Sequence, residues 1–430
     1  MKRKILILSI LLFTQTAFGQ KTLTIQDSIK VYFNEIKIAT KKNHRLWNKD
    51  LYGALLFVNP VTRQLYANAP DSAGILKHSS KIYLGELPGN VNIANTSLHW
   101  GGKDWAMVML PLPTNKQDRI NLLAHELFHK AQPSLGFILF NTENNHLDQK
   151  DGRIYLRLEL EALKKAVTST TTPELKTHLT NALIFRKYRY SIYPDADTTE
   201  NLLELNEGIA EYTGVIISGL NKTQAITHFE KSITDFLSNP TFVRSFAYQT
   251  IPVYGHLLYN QQKDWNKKVT IKTNLTNYFI KAFNLSLPAD LKKTVNTISS
   301  QYNAQKIVDE ETVREQKIKQ LIAVFKNKFI EQPHFEIQFE QMSVRFNPGN
   351  IMPIEDKGTV YPDIRVTDKW GILTVEKGAL MSPNWDKISI TVPIKTENKK
   401  ISGDGWTLEL TEGYAITKDE KSGNYRLTKK

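Results

Sequence analysis

An α+β architecture is what this sequence predicts: a strand-rich N-terminal lobe, a mainly helical lobe after it, and a small all-β, sandwich-like domain at the C-terminal end. Three observations carry that expectation. Short apolar runs bounded by Gly, Pro and Asn occupy the chain up to about residue 116. Apolar residues recur at helical spacing from about Asp151 to Phe329, and the period then drops to two, as in Phe335, Ile337 and Phe339. A chain of 430 residues is longer than one core usually holds, and its 41% hydrophobic residues are enough to bury two.

In chain order, Met1 to Gln20 has the three parts of an export signal: Lys2-Arg3-Lys4, an apolar run from Ile5 to Phe13, and small residues at Ala17 and Gly19. An apolar run of about nine residues is too short to cross a bilayer, so residues 1–19 are expected to be removed rather than to anchor the chain. The mature protein is expected to be secreted or periplasmic, with no further membrane span. Residues 20–332 are then expected to form one catalytic unit, strand-rich to about residue 116 and helical after it, and residues 333–430 an all-β domain.

Ser28 to Lys42 has the spacing of a helix. Tyr52 to Val58 and Gln64 to Ala67 read as a strand pair joined through Asn59-Pro60, and Ile82 to Leu84 and Trp105 to Leu112 as further strands. Pro113-Thr114-Asn115 then starts a helix that Pro133 stops. Arg153 to Val167, Pro173 to Tyr190 and Thr198 to Ser218 read as three more helices. Beyond Pro333, the alternations Ile388, Ile390, Val392 and Trp406, Leu408, Leu410 mark strands.

Composition removes several kinds of chemistry. With no cysteine, the chain has no disulfide, thiol nucleophile, thiolate ligand or lipid-modified N-terminal cysteine, so any metal must be held by His and carboxylate. The formal charge of +13 includes three residues of the signal. The rest is spread over Lys-rich segments mixed with Glu, without the clustered basic face that nucleic acid requires. There is no Gly-x-Gly-x-x-Gly, phosphate-binding Gly-rich loop or Gly-x-Ser-x-Gly, which removes the common nucleotide-binding and serine-hydrolase readings.

The segment that carries chemistry is Leu122-Leu123-Ala124-His125-Glu126-Leu127-Phe128-His129-Lys130. Residues four apart share a helix face, so His125 and His129 can offer imidazole nitrogens to one cation, while Glu126 stands beside that face as a base for water. A catalytic zinc site takes three protein ligands and keeps one position open. A third ligand close behind the pair fails, because Gln132 and Leu135 stand where the longer metzincin pattern has Gly and His. A glutamate from a later helix is the alternative. Glu207, in Asn206-Glu207-Gly208-Ile209-Ala210-Glu211-Tyr212, is the leading candidate, with Glu159 and Glu161 as rivals.

With both motifs in view, residues of about 90 to 260 resemble the gluzincin metallopeptidases, the group that includes thermolysin-like enzymes and zinc aminopeptidases. The resemblance implies Zn²⁺ as cofactor, Glu207 as third ligand, Glu211 as the acid that orients the first histidine, and a peptide or protein as substrate. It also implies a tyrosine beside the oxyanion, for which Tyr248 and Tyr254 are the candidates. The 77 residues between His129 and Glu207 depart from familiar members. So does Gly101-Gly102-Lys103-Asp104-Trp105-Ala106-Met107, which lacks the acidic signature by which aminopeptidases hold a free amine. Asp104, Glu159 and Glu161 are the remaining candidates for such an anchor. His146 reads as a surface residue, and His256 as a packed residue or a substrate contact. The competing function is an exported binding protein that keeps a peptidase shape while its β-domain engages a glycan or protein.

Overall fold

The computed structural model describes residues 24–138 and 142–430, so the expected signal at residues 1–19 lies outside the described residues. The chain is a mixed α/β structure with three sheets. Among the described residues no helix is long and apolar enough to cross a membrane.

Helix α1 (Ile25–Lys42) precedes a sheet made of β1 (Leu55–Val58), β2 (Gln64–Ala67), β3 (Lys77–Ser79), β4 (Ile82–Glu86), β5 (Thr96–Trp100) and β6 (Lys103–Met109). Their order is β3-β4-β2-β1-β6-β5, with β1 parallel to β6 in the register Leu55↔Ala106 and the other pairs antiparallel. The central strands are covered on both faces. Leu55, Phe57, Ala106 and Val108 belong to the core shared with the helices, whereas Leu56, Val58 and Met107 form a second core with Leu65 and Trp105. Two buried faces explain why Leu55-Leu56-Phe57-Val58 shows no alternation. β3 and β5 were not foreseen, since Lys77-His78-Ser79 and Thr96-Ser97-Leu98-His99-Trp100 are mostly polar edge segments.

β6 leads into α2 (Lys116–Ala131), the helix of the His-Glu-x-x-His segment. The side chain of Asn115 caps it by accepting from the backbone N–H groups of Gln117 and Asp118. Ile120, Leu123, Ala124, Leu127 and Phe128 are buried on α2, and Arg119 ties it to α1 through Glu35 at 2.8 Å.

The helical lobe continues as α3 (Lys150–Thr168), α4 (Thr172–Ile192), α5 (Ala196–Leu203), α6 (Ile209–Ser218), α7 (Lys222–Phe236), α8 (Ala247–Tyr259), α9 (Leu275–Ala282), α10 (Leu291–Ile298) and α11 (Ala304–Lys326). The helix expected over Thr198–Ser218 is interrupted. A π turn at Glu204–Gly208, closed by the Ile209 N–H donating to the Glu204 carbonyl, separates α5 from α6. In an unbroken α-helix Glu200, Glu204, Glu207 and Glu211 would lie along one stripe. The extra residue in the π turn rotates the two halves apart, so that Glu200 and Glu204 point at arginines while Glu207 and Glu211 point at α2.

From His334 onward the chain is strands. Seven of them form one sheet and six another, and the two share a core in which the Phe335 ring lies 5.8 Å from Trp406. The second sheet includes the adjacent antiparallel strands Ser343–Phe346, Ile364–Asp368 and Gly371–Val375.

Candidate metal centre

The four-residue spacing on α2 brings the Nε2 atoms of His125 and His129 to 2.9 Å from each other. The Glu207 Oε2 lies 3.1 Å from the His129 Nε2 and 3.6 Å from the His125 Nε2. Bonds of about 2.0–2.2 Å at a tetrahedral cation put ligand atoms roughly 3.3 Å apart, so these three atoms already form one face of such a tetrahedron.

Hydrogen bonds on the far side of each ring decide what the near side offers. The Gln132 Nε2 donates to the Asn206 carbonyl at 2.8 Å, which leaves its Oε1 as the acceptor facing the His129 Nδ1 at 2.7 Å. The His125 Nδ1 faces the Glu211 carboxylate at 2.9 Å, and the other Glu211 oxygen accepts from the Asn121 amide at 2.7 Å. Both Nδ1 atoms are therefore the N–H donors, and in the neutral rings both Nε2 atoms present bare lone pairs to each other and to a carboxylate oxygen. Three acceptors converging with no donor among them call for a cation or a proton, and the His/His/Glu donor set fits Zn²⁺.

The charge balance agrees. Burial works against a charged His125, but hydrogen bonds to Glu207 and Glu211 outweigh it and hold the imidazole well above its ordinary range. Burial likewise works to raise Glu207, yet His129 and His125 keep its carboxyl well below the usual value. Glu126 behaves differently: burial raises its carboxyl, and its Oε2 has no hydrogen-bond partner.

Two close helix contacts set this geometry. A Cβ on Gly214 would meet the Asn121 side chain and backbone, so the glycine lets α6 approach α2. A Cβ on Gly208 would come within 2.7 Å of Ile251, so that glycine lets the π turn touch α8. The second contact delivers Tyr248, whose hydroxyl donates to the Glu207 Oε2 at 2.5 Å and whose ring stacks on His125 at 5.4 Å. Burial, then Glu207, pushes the phenol well above its ordinary pKa and keeps it a donor. Asn206 completes the group by donating from its side chain to the Glu207 Oε1 at 3.2 Å.

Other sequence candidates lie elsewhere. Tyr254, one of the two oxyanion candidates, does not reach the cluster: it is fully buried, stacks on Phe279 and donates to Glu159 at 3.1 Å. Glu159 is not a rival ligand, because Arg186 and Arg189 hold it at 2.7 and 3.0 Å in the core. Glu161 pairs with Lys164 on its own helix, and Asp104 pairs with His99 on an exposed edge. None of the three lines the cleft at the metal cluster, so none anchors a free amine there. His146 is no surface residue but donates from its Nε2 to buried Glu200 at 2.8 Å, and His256 packs against Phe229.

Sequence reasoning missed three supports. Gln132, noted only as a mismatch to a longer motif, orients His129. Arg186 and Arg189 hold Glu204 and Glu200 behind the π turn, with bonds of 2.6–2.7 Å to the two acids. α3 and α4, which fill the long stretch between the motifs, thus brace the segment that carries Glu207. The only signal available was two arginines spaced three apart directly after the apolar run Ala182–Phe185.

The cluster opens on a cleft of about 640 Å³ lined on one side by Met109, Leu122, His125, Glu126 and Tyr248 and on the other by Arg345, Arg365 and Thr374 of the second sheet and by Asp363 just before the strand Ile364–Asp368. No protein-family model, curated protein or solved structure matches the chain.

Proposed function

We propose that the protein is an exported zinc-dependent metallopeptidase of the gluzincin kind that hydrolyses peptide bonds. The single observation that carries this reading is the convergence of two oriented Nε2 lone pairs and the Glu207 carboxylate beside a buried Glu126 whose Oε2 is unpartnered, on a cleft of about 640 Å³.

His125, His129 and Glu207 would hold the ion. When bound, Zn²⁺ supplies Lewis acidity at a substrate carbonyl and brings the pKa of water toward neutrality. Glu126 accepts the proton of the attacking water and returns it to the leaving amine, a role suited to a carboxyl that burial has raised. Glu211 and Gln132 keep both imidazoles in the Nδ1–H form. Tyr248, still protonated, turns its hydroxyl from Glu207 to the developing oxyanion. Asp104, Glu159 and Glu161, the acids the sequence offered as amine anchors, stand away from the cleft, whose own wall carries Asp363 and Glu376.

The test is elemental analysis of the purified protein combined with mass-spectrometric reading of a digested random-peptide library, with and without chelator. One zinc per chain and chelator-sensitive cleavage are expected, with Glu126→Gln keeping the zinc and losing turnover by a factor of about 10² to 10⁴. Protein that takes up no metal and cuts nothing would instead favour an exported binding protein on a peptidase-like scaffold.

A further inference from the structure

Strands Ser343–Phe346 and Ile364–Asp368 are paired so that Arg345 stands directly opposite Arg365, and Thr374 of the next strand stands opposite Arg365 in turn. All three face the cleft that holds His125, Glu126 and Tyr248. Like charges directly across a strand pair repel. Among the described residues no carboxylate comes within ion-pair distance of either guanidinium. Asp363 lines the same cleft but accepts from the Asn350 amide at 2.6 Å, and Glu376 at the rim is exposed.

The two arginines are engaged differently. Arg365 donates to the Asn92 side chain at 2.5 Å and the Gly89 carbonyl at 2.7 Å, neutral groups of the loop before β5, and so is fixed in place. Arg345 is exposed and has no hydrogen-bond partner among the described residues. Arg63, whose guanidinium donates to the carbonyls of Leu87, Pro88 and Val91, adds a third positive charge behind them. Burial lowers both Arg63 and Arg365; Glu86 then opposes this at Arg63 before Arg345 adds to it, while at Arg365 the neighbouring Arg63 and Arg345 add to it and Glu409 opposes.

We propose that Arg345, backed by Arg365, is a carboxylate-binding subsite of the cleft, so that the β-sheet supplies the substrate's anionic anchor while α2 supplies the chemistry. The occupant is a peptide carboxylate, either an acidic side chain or the C-terminus. A guanidinium fork held open across from the metal cluster matches that group in shape and charge. The proposal rests on the peptidase reading of the same cleft.

The experiment uses four fluorescein-labelled peptides of one sequence, carrying internal Glu or Gln and a free or amidated C-terminus. Binding to zinc-loaded Glu126→Gln protein is followed by polarisation, and cleavage by the parent protein separately. The expected result is roughly ten- to a hundredfold tighter binding of one class of carboxylate. That preference should be abolished by Arg345→Ala, largely restored by Arg345→Lys and reversed by Arg345→Glu, with unchanged thermal midpoints as the fold control. Preference for internal Glu identifies a side-chain subsite, and preference for the free terminus a C-terminal one. Equal binding of all four, or a preference untouched by Arg345→Ala, overturns the proposal. Arg345-dependent binding without any cleavage would sink the peptidase reading and leave the subsite standing; cleavage without carboxylate preference would do the reverse.

Discussion

The Nε2 atoms of His125 and His129 face each other at 2.9 Å while both Nδ1 atoms are committed to acceptors on the outer side. Without a cation, one shared proton has to hold these lone pairs and the Glu207 carboxylate together. A divalent ion held there by the folded state alone would convert its affinity into stability.

Adding Zn²⁺ at about a thousand times its dissociation constant is expected to stabilise the chain by roughly 4 kcal/mol, seen as a rise in thermal midpoint. His129→Ala should remove that rise. A midpoint indifferent to zinc would mean the three acceptors are not a metal site.

Gln132 is the residue whose loss separates orientation from ligation. Gln132→Leu removes the acceptor for the His129 Nδ1 and the donor to the Asn206 carbonyl, leaving the three ligand atoms in place. Metal affinity, measured by chelator competition, is expected to fall about 10- to 100-fold. An unchanged affinity would show that packing alone orients the ring.

Tyr248→Phe keeps the stacking on His125 and deletes only the hydroxyl. If that hydroxyl meets the oxyanion, kcat should fall by about 10² or more with KM and zinc content little changed. A rise in KM alone would make Tyr248 a binding residue. Tyr254→Phe, in contrast, should act on stability through Glu159 and leave the metal centre intact.

Acid should weaken the fold through Glu200. Burial opposes its ionisation, but Arg189 and His146 bring its carboxyl down to about 2. A depressed carboxyl contributes its stability above the unfolded value near 4.5 and loses it as pH falls toward 2, about 3 kcal/mol in all. Burial raises the Glu204 carboxyl instead, which offsets part of the loss. Urea denaturation between pH 6 and pH 2 should show the decline, and Glu200→Gln should start lower and flatten it. Parallel curves for the two proteins would remove Glu200 as the cause.

Much of the centre was legible in the chain because its signals are local. A helix puts residues four apart on one face whatever surrounds it, so His125, Glu126 and His129 could be read as a pair of ligands and a base. The Asn206-Glu207-Gly208 segment was legible only through its resemblance to a metallopeptidase motif, and its glycine proves to be a point of close helix approach. The strands from Phe335 onward were visible as a period of two, whereas polar edge strands such as β5 carry no such period.

What the linear order could not decide is everything that depends on phase and on distance across the fold. A single π turn rotates Glu207 and Glu211 away from Glu200 and Glu204, and periodicity alone would have left all four on one face. Tyr248 and Tyr254 sit six residues apart on one helix, and only the packing of α8 sends one to the histidines and the other to a buried arginine network. The opposed Arg345 and Arg365 become a feature of the cleft only because strand register and the docking of one sheet bring them there. Side-chain chemistry is written in the residue, but the direction in which it points is set by backbone phase and by which surfaces bury one another.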